Sequence, residues 1–190
     1  KNRIEIIPWE RITNEIVKIL KADKPSIGFY ALRDTGLLNI ILPEFSIMEG
    51  VETIGKMSHK DVFIHTLQVI DNAALLTEKM EVRFAALVHD IAKPKTKKFL
   101  EGKGWTYHAH EIVGIGLMKK LSKRMKLSNE LTDYLCKLIK LHLRPISLAK
   151  EGVTDSAVRR VMVEAGEHID DLMILCRADI TTKNPKKVKR

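Results

Sequence analysis

The most informative stretch of the chain reads Arg83-Phe84-Ala85-Ala86-Leu87-Val88-His89-Asp90-Ile91-Ala92-Lys93-Pro94. Its apolar first half predicts a buried helix that ends before the proline, with His89 and Asp90 at its end. An imidazole beside a carboxylate offers one nitrogen and two oxygens to a divalent metal ion. That mixture suits Mn, Fe, Co, Ni or Zn better than Ca, which prefers oxygen ligands alone. One His-Asp pair occurs often by chance, so its meaning depends on the other helices.

Candidate metal ligands also occur on the other predicted helices. They are His65, His110, His142 and Asp179. Asp179 shares an apolar helical face with Leu172 and Cys176, and a buried carboxylate is costly unless a cation or strong donors satisfy it. A metal ion and an arginine partner would both meet that need, so this segment alone leaves the two alternatives open.

The histidines admit two interpretations. His142 shares a helical face with several leucines and His65 lies in the middle of a helix, so a hydrogen-bonded core histidine would explain either one alone. Asp90 lies near a helix C-terminus, which favours cations, and a neighbouring metal explains its position better. Three separate helices each place a His or Asp inward near one end. Coincidence explains this pattern poorly. His59 and His108, at loop-like positions, are expected to face solvent or substrate.

Composition and charge restrict the class of protein. The chain has 190 residues, 45% of them hydrophobic, and a formal net charge of +9. The positive net charge favours an anionic partner. Nucleic acid is favoured over a membrane surface, because no predicted helix pairs a basic face with exposed aromatic residues. A solvated basic surface is the alternative. The sequence shows neither a membrane-spanning apolar run nor a secretory leader. Cys136 and Cys176 are expected to be buried free thiols, and free thiols fit a cytoplasmic location.

The apolar pattern predicts an all-α fold. Apolar residues recur with a helical period through nearly the whole chain, without a clean two-residue alternation. We predict a small helical module over 1–45, a connector over 46–60, a larger helical module over 61–182 and a basic tail over 183–190. Within the larger module, a loop or tight hairpin is predicted over 99–105, and Gly114 and Gly116 are expected to allow close helix packing. The absence of Met at Lys1 suggests part of a longer protein.

The same residues carry a resemblance to a known family. The set His65, His89-Asp90, His110, His142 and Asp179 resembles the HD metal-dependent phosphohydrolase superfamily. A closer resemblance, to the bacterial CCA-adding tRNA nucleotidyltransferase and poly(A) polymerase family, is carried by His89 to Pro94 with Thr96, Tyr107 to Glu111, Ala157 to Arg160 and Arg177 to Asp179. The front module, with Gly36-Leu37-Leu38 and Leu42-Pro43-Glu44, is similar to the helical neck and tRNA-binding segment of that family.

Two features depart from the family pattern. Ala109 stands where the family often has Gly before His110. The chain also lacks the Asp-x-Asp pair with which the polymerase head of the family holds Mg and the incoming CTP or ATP. The resemblance therefore implies the neck and the HD domain of such a protein, without the head that adds nucleotides.

The resemblance also implies a metal site and its substrates. One ion would be held by His65, His89, Asp90 and Asp179, and a second by His110 and His142 with Asp90 bridging; the metal would be Mn, Ni, Fe, Co, Zn or Mg. Asp90 and Lys93 are the expected catalytic residues. Phosphate or RNA contacts are expected from Lys93, Arg144, Arg159, Lys119 and Lys123.

The expected partners are tRNA and a nucleotide or phosphodiester substrate, with no membrane. The alternatives are a stand-alone HD phosphohydrolase and a non-catalytic RNA-binding module stapled by metal.

Overall fold

A computed structural model describes residues 4–55, 57–149 and 153–181, and over these ranges the chain is mainly helical, as predicted. The front helices are α1 (Trp9–Lys21), α2 (Ser26–Asp34), α3 (Leu38–Ile41) and α4 (Pro43–Ser46). The later helices are α5 (Val62–Leu76), α6 (Met80–Val88), α7 (Lys93–Thr96), α8 (His110–Met125), α9 (Asn129–Leu141), α10 (Leu143–Leu148), α11 (Asp155–Ala165) and α12 (Ile169–Ala178). The predicted tail over 183–190 lies outside the described residues. Among those residues, no helix is both long and apolar enough to cross a membrane.

Within the described ranges, two small antiparallel hairpins interrupt the helices. The first pairs β1 (Thr53–Ile54) with β2 (Met57–Ser58), and the second pairs β3 (Lys98–Leu100) with β4 (Gly104–Thr106). The second agrees with the predicted loop or hairpin and places Phe99 opposite Trp105. The first was not predicted, because strands of two residues are too short to show an alternating pattern.

Arg83 joins the front helices to the later ones. It is 2% exposed, and its guanidinium donates to the carbonyls of Leu20 and Ala22 at the end of α1. It also donates to the carbonyls of Thr77 and Ala74 around the end of α5. Because the guanidinium presents five N–H donors, one arginine can satisfy the free carbonyls of two helix ends at once.

Front and later helices share one apolar core. Leu20 and Phe29 of the front helices belong to the same buried cluster as Leu67 and Leu87. A smaller cluster forms between α9, α11 and α12, and it includes Cys176. Both cysteines are buried and free. The division of the chain at 45 and 60 stays a prediction.

Glycines set two close helix contacts. A Cβ on Gly114 of α8 would lie 2.9 Å from Ile139 Cγ2 of α9, whereas a Cβ on Gly116 would meet nothing within 4 Å. Of these two glycines, only Gly114 is therefore required for the close packing of α8 against α9. A Cβ on Gly28 would lie 2.6 Å from Ile19 Cγ2, so the same requirement brings α2 against α1. The sequence did not predict α2, since a glycine inside a nine-residue helix lowers its helix propensity.

Candidate metal centre

Helix ends bring the six predicted metal ligands together. His65 lies on α5, His110 is the first residue of α8, and His142 directly follows α9. His89 and Asp90 follow α6, and Asp179 follows α12. The candidate ligand atoms form two groups, each with all its atoms within 4.8 Å of one another: His65, His89 and Asp179 in one, and Asp90, His110 and His142 in the other.

One half of the centre, the His65 half, consists of His65, His89, Asp179 and one oxygen of Asp90. Asp179 Oδ1 lies 2.9 Å from His65 Nε2 and 3.5 Å from His89 Nε2. Asp90 Oδ2 lies 3.1 Å from His89 Nε2 and 3.5 Å from His65 Nε2. Two carboxylates and two imidazoles therefore face one another in this half.

The other half, the His110 half, consists of His110, His142 and the second oxygen of Asp90. Asp90 Oδ1 lies 3.3 Å from His110 Nε2 and 3.8 Å from His142 Nε2. The Nε2 atoms of His110 and His142 are 3.3 Å apart. Each oxygen of Asp90 thus faces a different pair of imidazoles, and this carboxylate is the part common to both halves.

Backbone carbonyls fix the orientation of three imidazoles. The Nδ1 atoms of His89, His110 and His142 lie 2.8, 2.8 and 2.7 Å from the carbonyl oxygens of Ala86, Tyr107 and Ile139, each three residues earlier. A carbonyl oxygen can only accept, so Nδ1 must carry the proton in each ring. In the neutral rings, Nε2 then presents its lone pair to the centre, which is the arrangement of metal-binding histidines.

The donor set fits a divalent cation. His89 Nε2 and Asp90 Oδ1 are buried and have no hydrogen-bond partner among the described residues. His89 Nε2 lies 3.1 Å from Asp90 Oδ2, and Asp90 Oδ1 lies 3.3 Å from His110 Nε2, as contacts between an imidazole and a carboxylate. Unpaired buried polar atoms are unfavourable; a cation in the His65 half would satisfy His89 Nε2, and a cation in the His110 half would satisfy Asp90 Oδ1. Nitrogen and oxygen donors without a thiolate suit Mn, Fe, Co, Ni or Zn.

The two halves differ in their electrostatics. Burial would lower the pKa of His89, but the carboxylates of Asp90 and Asp179 raise it to about 10. Burial lowers the pKa of His142 to about 4, and repulsion from His89 adds to this shift. Burial would raise the pKa of Asp90, but His89 and Lys93 hold it well below its usual range. Without a metal ion, His89 is therefore protonated between the two carboxylates of the His65 half, while His142 is neutral.

Lys93 lies at the edge of the centre. Its Nζ donates to Asp90 Oδ2 at 2.5 Å, and its side chain is 23% exposed. The ring of Tyr107 lies beside it, with its centroid 5.7 Å from Nζ. An ammonium group therefore stands between the shared carboxylate and solvent.

The other predicted phosphate contacts are not part of the centre. Arg144 and Arg159 are exposed, on α10 and α11 respectively. Lys119 and Lys123 are exposed on α8, and they follow His110 by nine and thirteen residues. At 1.5 Å per residue they lie about 14 and 20 Å farther along the helix, so they belong to a separate surface.

Several supporting contacts were not predicted from the sequence. Thr181 Oγ1 lies 3.2 Å from His65 Nδ1, and Asn72 Nδ2 donates to the carbonyl of Ala178 at 2.8 Å, beside Asp179. These partners are more than 100 positions apart in the sequence, so local patterns carry no signal for them. A histidine at a helix end can reach the carbonyl of the residue three positions earlier. That spacing is a local signal, and it could have indicated the ring orientations.

For His59 the solvent-facing alternative is wrong, and the substrate-facing alternative stays a prediction. His59 does not face solvent: it is 9% exposed, accepts a hydrogen bond from the backbone N–H of Glu52 at 3.0 Å, and packs edge-on against Trp105. Tyr107, which directly follows the second hairpin, also packs edge-on against His59. His108 is exposed, as expected.

Comparison with known proteins identifies the larger module. The family model described as "HD domain" matches residues 62–184. The chain belongs to the HD domain family. A second family model, "Probable RNA and SrmB- binding site of polymerase A", matches residues 1–48 of this HD protein.

Curated relatives extend the similarity over most of the chain. A Multifunctional CCA protein of Vibrio campbellii is 33% identical over 175 residues, which cover 90% of this chain and 42% of the relative. A Multifunctional CCA protein of Psychromonas ingrahamii is 36% identical over 151 residues, which cover 78% of this chain and 36% of the relative. The chain thus spans about two fifths of these relatives' length, and the predicted resemblance is confirmed.

Proposed function

We propose that the chain is the neck and HD domain of a CCA-adding tRNA nucleotidyltransferase, and that its HD domain hydrolyses phosphate esters with bound divalent metal ions. The names of the curated relatives support the first part. The observation that carries the second part is the placement of Asp90, whose two oxygens face two different sets of imidazoles. A single carboxylate in that position can serve two ions.

The ligand roles follow from the two halves of the centre. We assign one ion to His65, His89, Asp179 and Asp90, and a second to His110 and His142 with Asp90 shared. Ions in such sites polarise a phosphate group and lower the pKa of a bound water, which supplies the chemistry of hydrolysis. The chain contributes imidazoles that are already oriented by the carbonyls behind them, so little reorganisation accompanies binding.

Lys93 is assigned to the substrate. Its ammonium group is close to the shared carboxylate of Asp90 and partly exposed, so it can neutralise charge on a phosphate oxygen as the ester bond breaks. Tyr107 is beside it and offers a ring face to the adjoining part of a nucleotide. Arg144, two residues beyond His142, and Arg159 are assigned to more distant phosphates of a nucleotide or phosphodiester substrate.

We assign tRNA as the macromolecular partner. The match of residues 1–48 to an RNA-binding family model and the net charge of +9 support this assignment. Lys119 and Lys123 would contact the RNA backbone. The division into a neck (1–45), a connector (46–60) and an HD domain (61–182), and a cytoplasmic location, belong to the same proposal.

The chain itself is expected to add no nucleotide to tRNA. It contains no Asp-x-Asp pair, and the proposed parent would need such a pair to hold Mg with CTP or ATP. Incubation of the pure chain with tRNA that lacks its 3′ end, labelled CTP or ATP, and Mg should give no incorporation. Detectable incorporation would contradict this part of the proposal.

The hydrolase proposal is tested by turnover of a chromogenic phosphodiester and of a 2′,3′-cyclic nucleotide, with Mn²⁺ or Ni²⁺ supplied. Chelator should abolish turnover. Asp90→Ala should remove it more completely than His142→Ala, because the first change takes a negative ligand from both ions and the second takes a neutral ligand from one. His168→Ala is the matched control, since His168 lies outside the centre, against the ring of Tyr134.

Metal content must be measured beside activity. A wild-type chain that is fully metal-loaded but inactive on both substrates would favour the non-catalytic, metal-stapled RNA-binding module. A larger loss for His142→Ala than for Asp90→Ala would show that the ligand roles are wrongly assigned.

A further inference from the structure

An open cavity of about 720 Å³ lies where the end of α8 meets the beginning of α9. Its walls include Lys119, Ser122, Lys123, Lys126, Asn129 and Asp133. It is separate from the metal centre: Ser122 follows His110 by twelve residues, about 18 Å along the helix. The cavity and the metal centre are therefore two different places on α8.

The hydroxyl of Ser122 indicates that the cavity takes a ligand. Ser122 is 3% exposed, and its Oγ has no hydrogen-bond partner among the described residues. Buried hydroxyl groups are normally paired, because leaving one unpaired is unfavourable. A ligand atom that accepts a hydrogen bond would complete it.

The charge of the cavity indicates that the ligand is an anion. Lys119, Lys123 and Lys126 contribute three ammonium groups, against one carboxylate, from Asp133. Among the described residues these three lysines form no ion pair within 4.0 Å, although other lysines of the chain do. Their charge is therefore available to a bound group.

The first turn of α9 supplies further donors. Ser128 Oγ accepts from the amide of Leu131 at 3.1 Å and so caps the helix. The amides of Asn129 and Glu130 precede the first intrahelical bond and have no acceptor within α9. A helix N-terminus of this length also carries partial positive charge. The cavity is thus lined by a hydroxyl group and by ammonium groups, and α9 begins in its wall at Asn129.

We infer that this cavity binds a phosphate group, and that the group is presented by the backbone of an RNA. The choice of RNA as the source rests on the proposed tRNA partner, whereas the phosphate chemistry rests on the cavity alone. Ser122 donates to a phosphate oxygen, the lysines neutralise its charge, and the first amides of α9 donate to it. The remaining volume leaves room for the adjoining sugars.

The phosphate site is tested by titrating the chain with inorganic phosphate at constant ionic strength, with chloride as the balancing anion, and following backbone amide signals by NMR. The amides of Ser122, Asn129 and Glu130 should shift and saturate. They report on the cavity alone, so binding at the metal centre does not interfere. Shifts that do not saturate, or that chloride reproduces, would overturn the site.

Variants separate a ligand-binding hydroxyl from a structural one. Ser122→Ala should weaken phosphate binding several-fold without lowering the melting temperature in phosphate-free buffer, because the hydroxyl has no partner to lose. Lys123→Gln combined with Lys126→Gln should weaken it at least about tenfold. Lys120→Gln is the matched control, an exposed lysine of the same helix outside the cavity walls. A destabilised Ser122→Ala, or unchanged phosphate affinity in the variants, would contradict the inference.

A second arm identifies the source of the phosphate. Each phosphate contact adds about 0.7–0.9 to the slope of log affinity against log salt. The Lys123→Gln, Lys126→Gln chain should bind tRNA more weakly and with a slope smaller by at least about 1, while Lys120→Gln should match wild type. Unchanged tRNA binding beside lost phosphate binding would overturn the RNA source. A wild type that does not bind tRNA would instead contradict the proposed function, and the phosphate titration would still decide the cavity.

Discussion

The His65 half of the centre is more negative and more open than the His110 half. It faces two carboxylates, Asp90 and Asp179, and the side chains of His65 and Asp179 are 13% and 15% exposed. The His110 half has only the shared Asp90, and its imidazoles are 7% and 2% exposed. On the proposed two-ion assignment, charge favours tighter binding of the ion in the His65 half, whereas binding in the His110 half would depend on imidazoles held in place by packing and by hydrogen bonds to the backbone.

The largest effect that tests this difference is expected from Asp179→Asn. The substitution keeps the shape and removes one of the two charges that face the first ion. Affinity of the His65 half for Mn²⁺ should fall by more than the roughly 10–100-fold expected for loss of a supporting contact. Calorimetric titration with Mn²⁺ should show two binding events, and Asp179→Asn should weaken the tighter one. Its counterpart His110→Ala should spare that event and remove the weaker one; loss of the same event in both variants would break the distinction.

Thr181→Val should have a smaller effect, confined to the His65 half. It removes the hydroxyl that lies 3.2 Å from His65 Nδ1 while keeping the volume of the side chain. Loss of such a supporting partner should weaken the first ion about tenfold. The imidazoles of the His110 half are oriented by hydrogen bonds to backbone carbonyls, and no side-chain substitution removes a carbonyl. Equal weakening of both ions in the same titration would show that Thr181 acts on the whole centre.

The sequence predicted which side chains face the candidate centre better than it predicted the contacts that hold those side chains in place. His89, His142 and Asp179 lie where apolar helical faces end, so periodicity alone placed each of them inward. Thr181 and Asn72 could not be found in this way, because their partners are brought to them by the packing of α12 on α5. The proposed bridging role of Asp90 was implied by the resemblance, and periodicity could not supply it, since the placement of Asp90 between two sets of imidazoles depends on how whole helices lie against one another.

The fold shows the same limit. The helical period predicted the larger module that contains α8 and α9, whereas α2 and the first hairpin were not singled out by it. A short element with little periodicity is fixed by its neighbours, and for α2 that neighbour is Ile19, which closes on Gly28. The absence of a Cβ at a helix contact is visible in the sequence, but the partner helix is not.

Gly114→Ala should distinguish the two halves through packing. The new methyl group would press on Ile139 and separate α8 from α9, the helices that carry His110 and precede His142. Overpacking should outweigh the gain in helix propensity, so stability in a denaturant titration should fall by about 1 kcal/mol. The weaker ion should be affected and the tighter ion spared. Gly116→Ala, with open space around it, is the control and should raise stability by up to about 1 kcal/mol.

Ala109→Gly should have the smallest effect. Ala109 precedes His110 with φ of 61°, a left-handed conformation that costs a residue with a Cβ about 1–2 kcal/mol. Glycine avoids that cost but loses more chain entropy on folding, so the net gain should be about 0.5 kcal/mol. Thermal unfolding should show a small rise, with both metal affinities retained. A decrease in stability would mean that the methyl group of Ala109 makes a contact worth more than the strain.

The claim that one carboxylate serves two ions is tested most directly by electron paramagnetic resonance of the chain loaded with two equivalents of Mn²⁺. Two ions that share Asp90 would lie about 3.5–4 Å apart, close enough for their spins to couple. We predict the spectrum of a coupled pair, replaced by that of a single isolated ion in His142→Ala. Two bound ions that give only the spectrum of isolated Mn²⁺ in the wild-type chain would contradict the shared carboxylate.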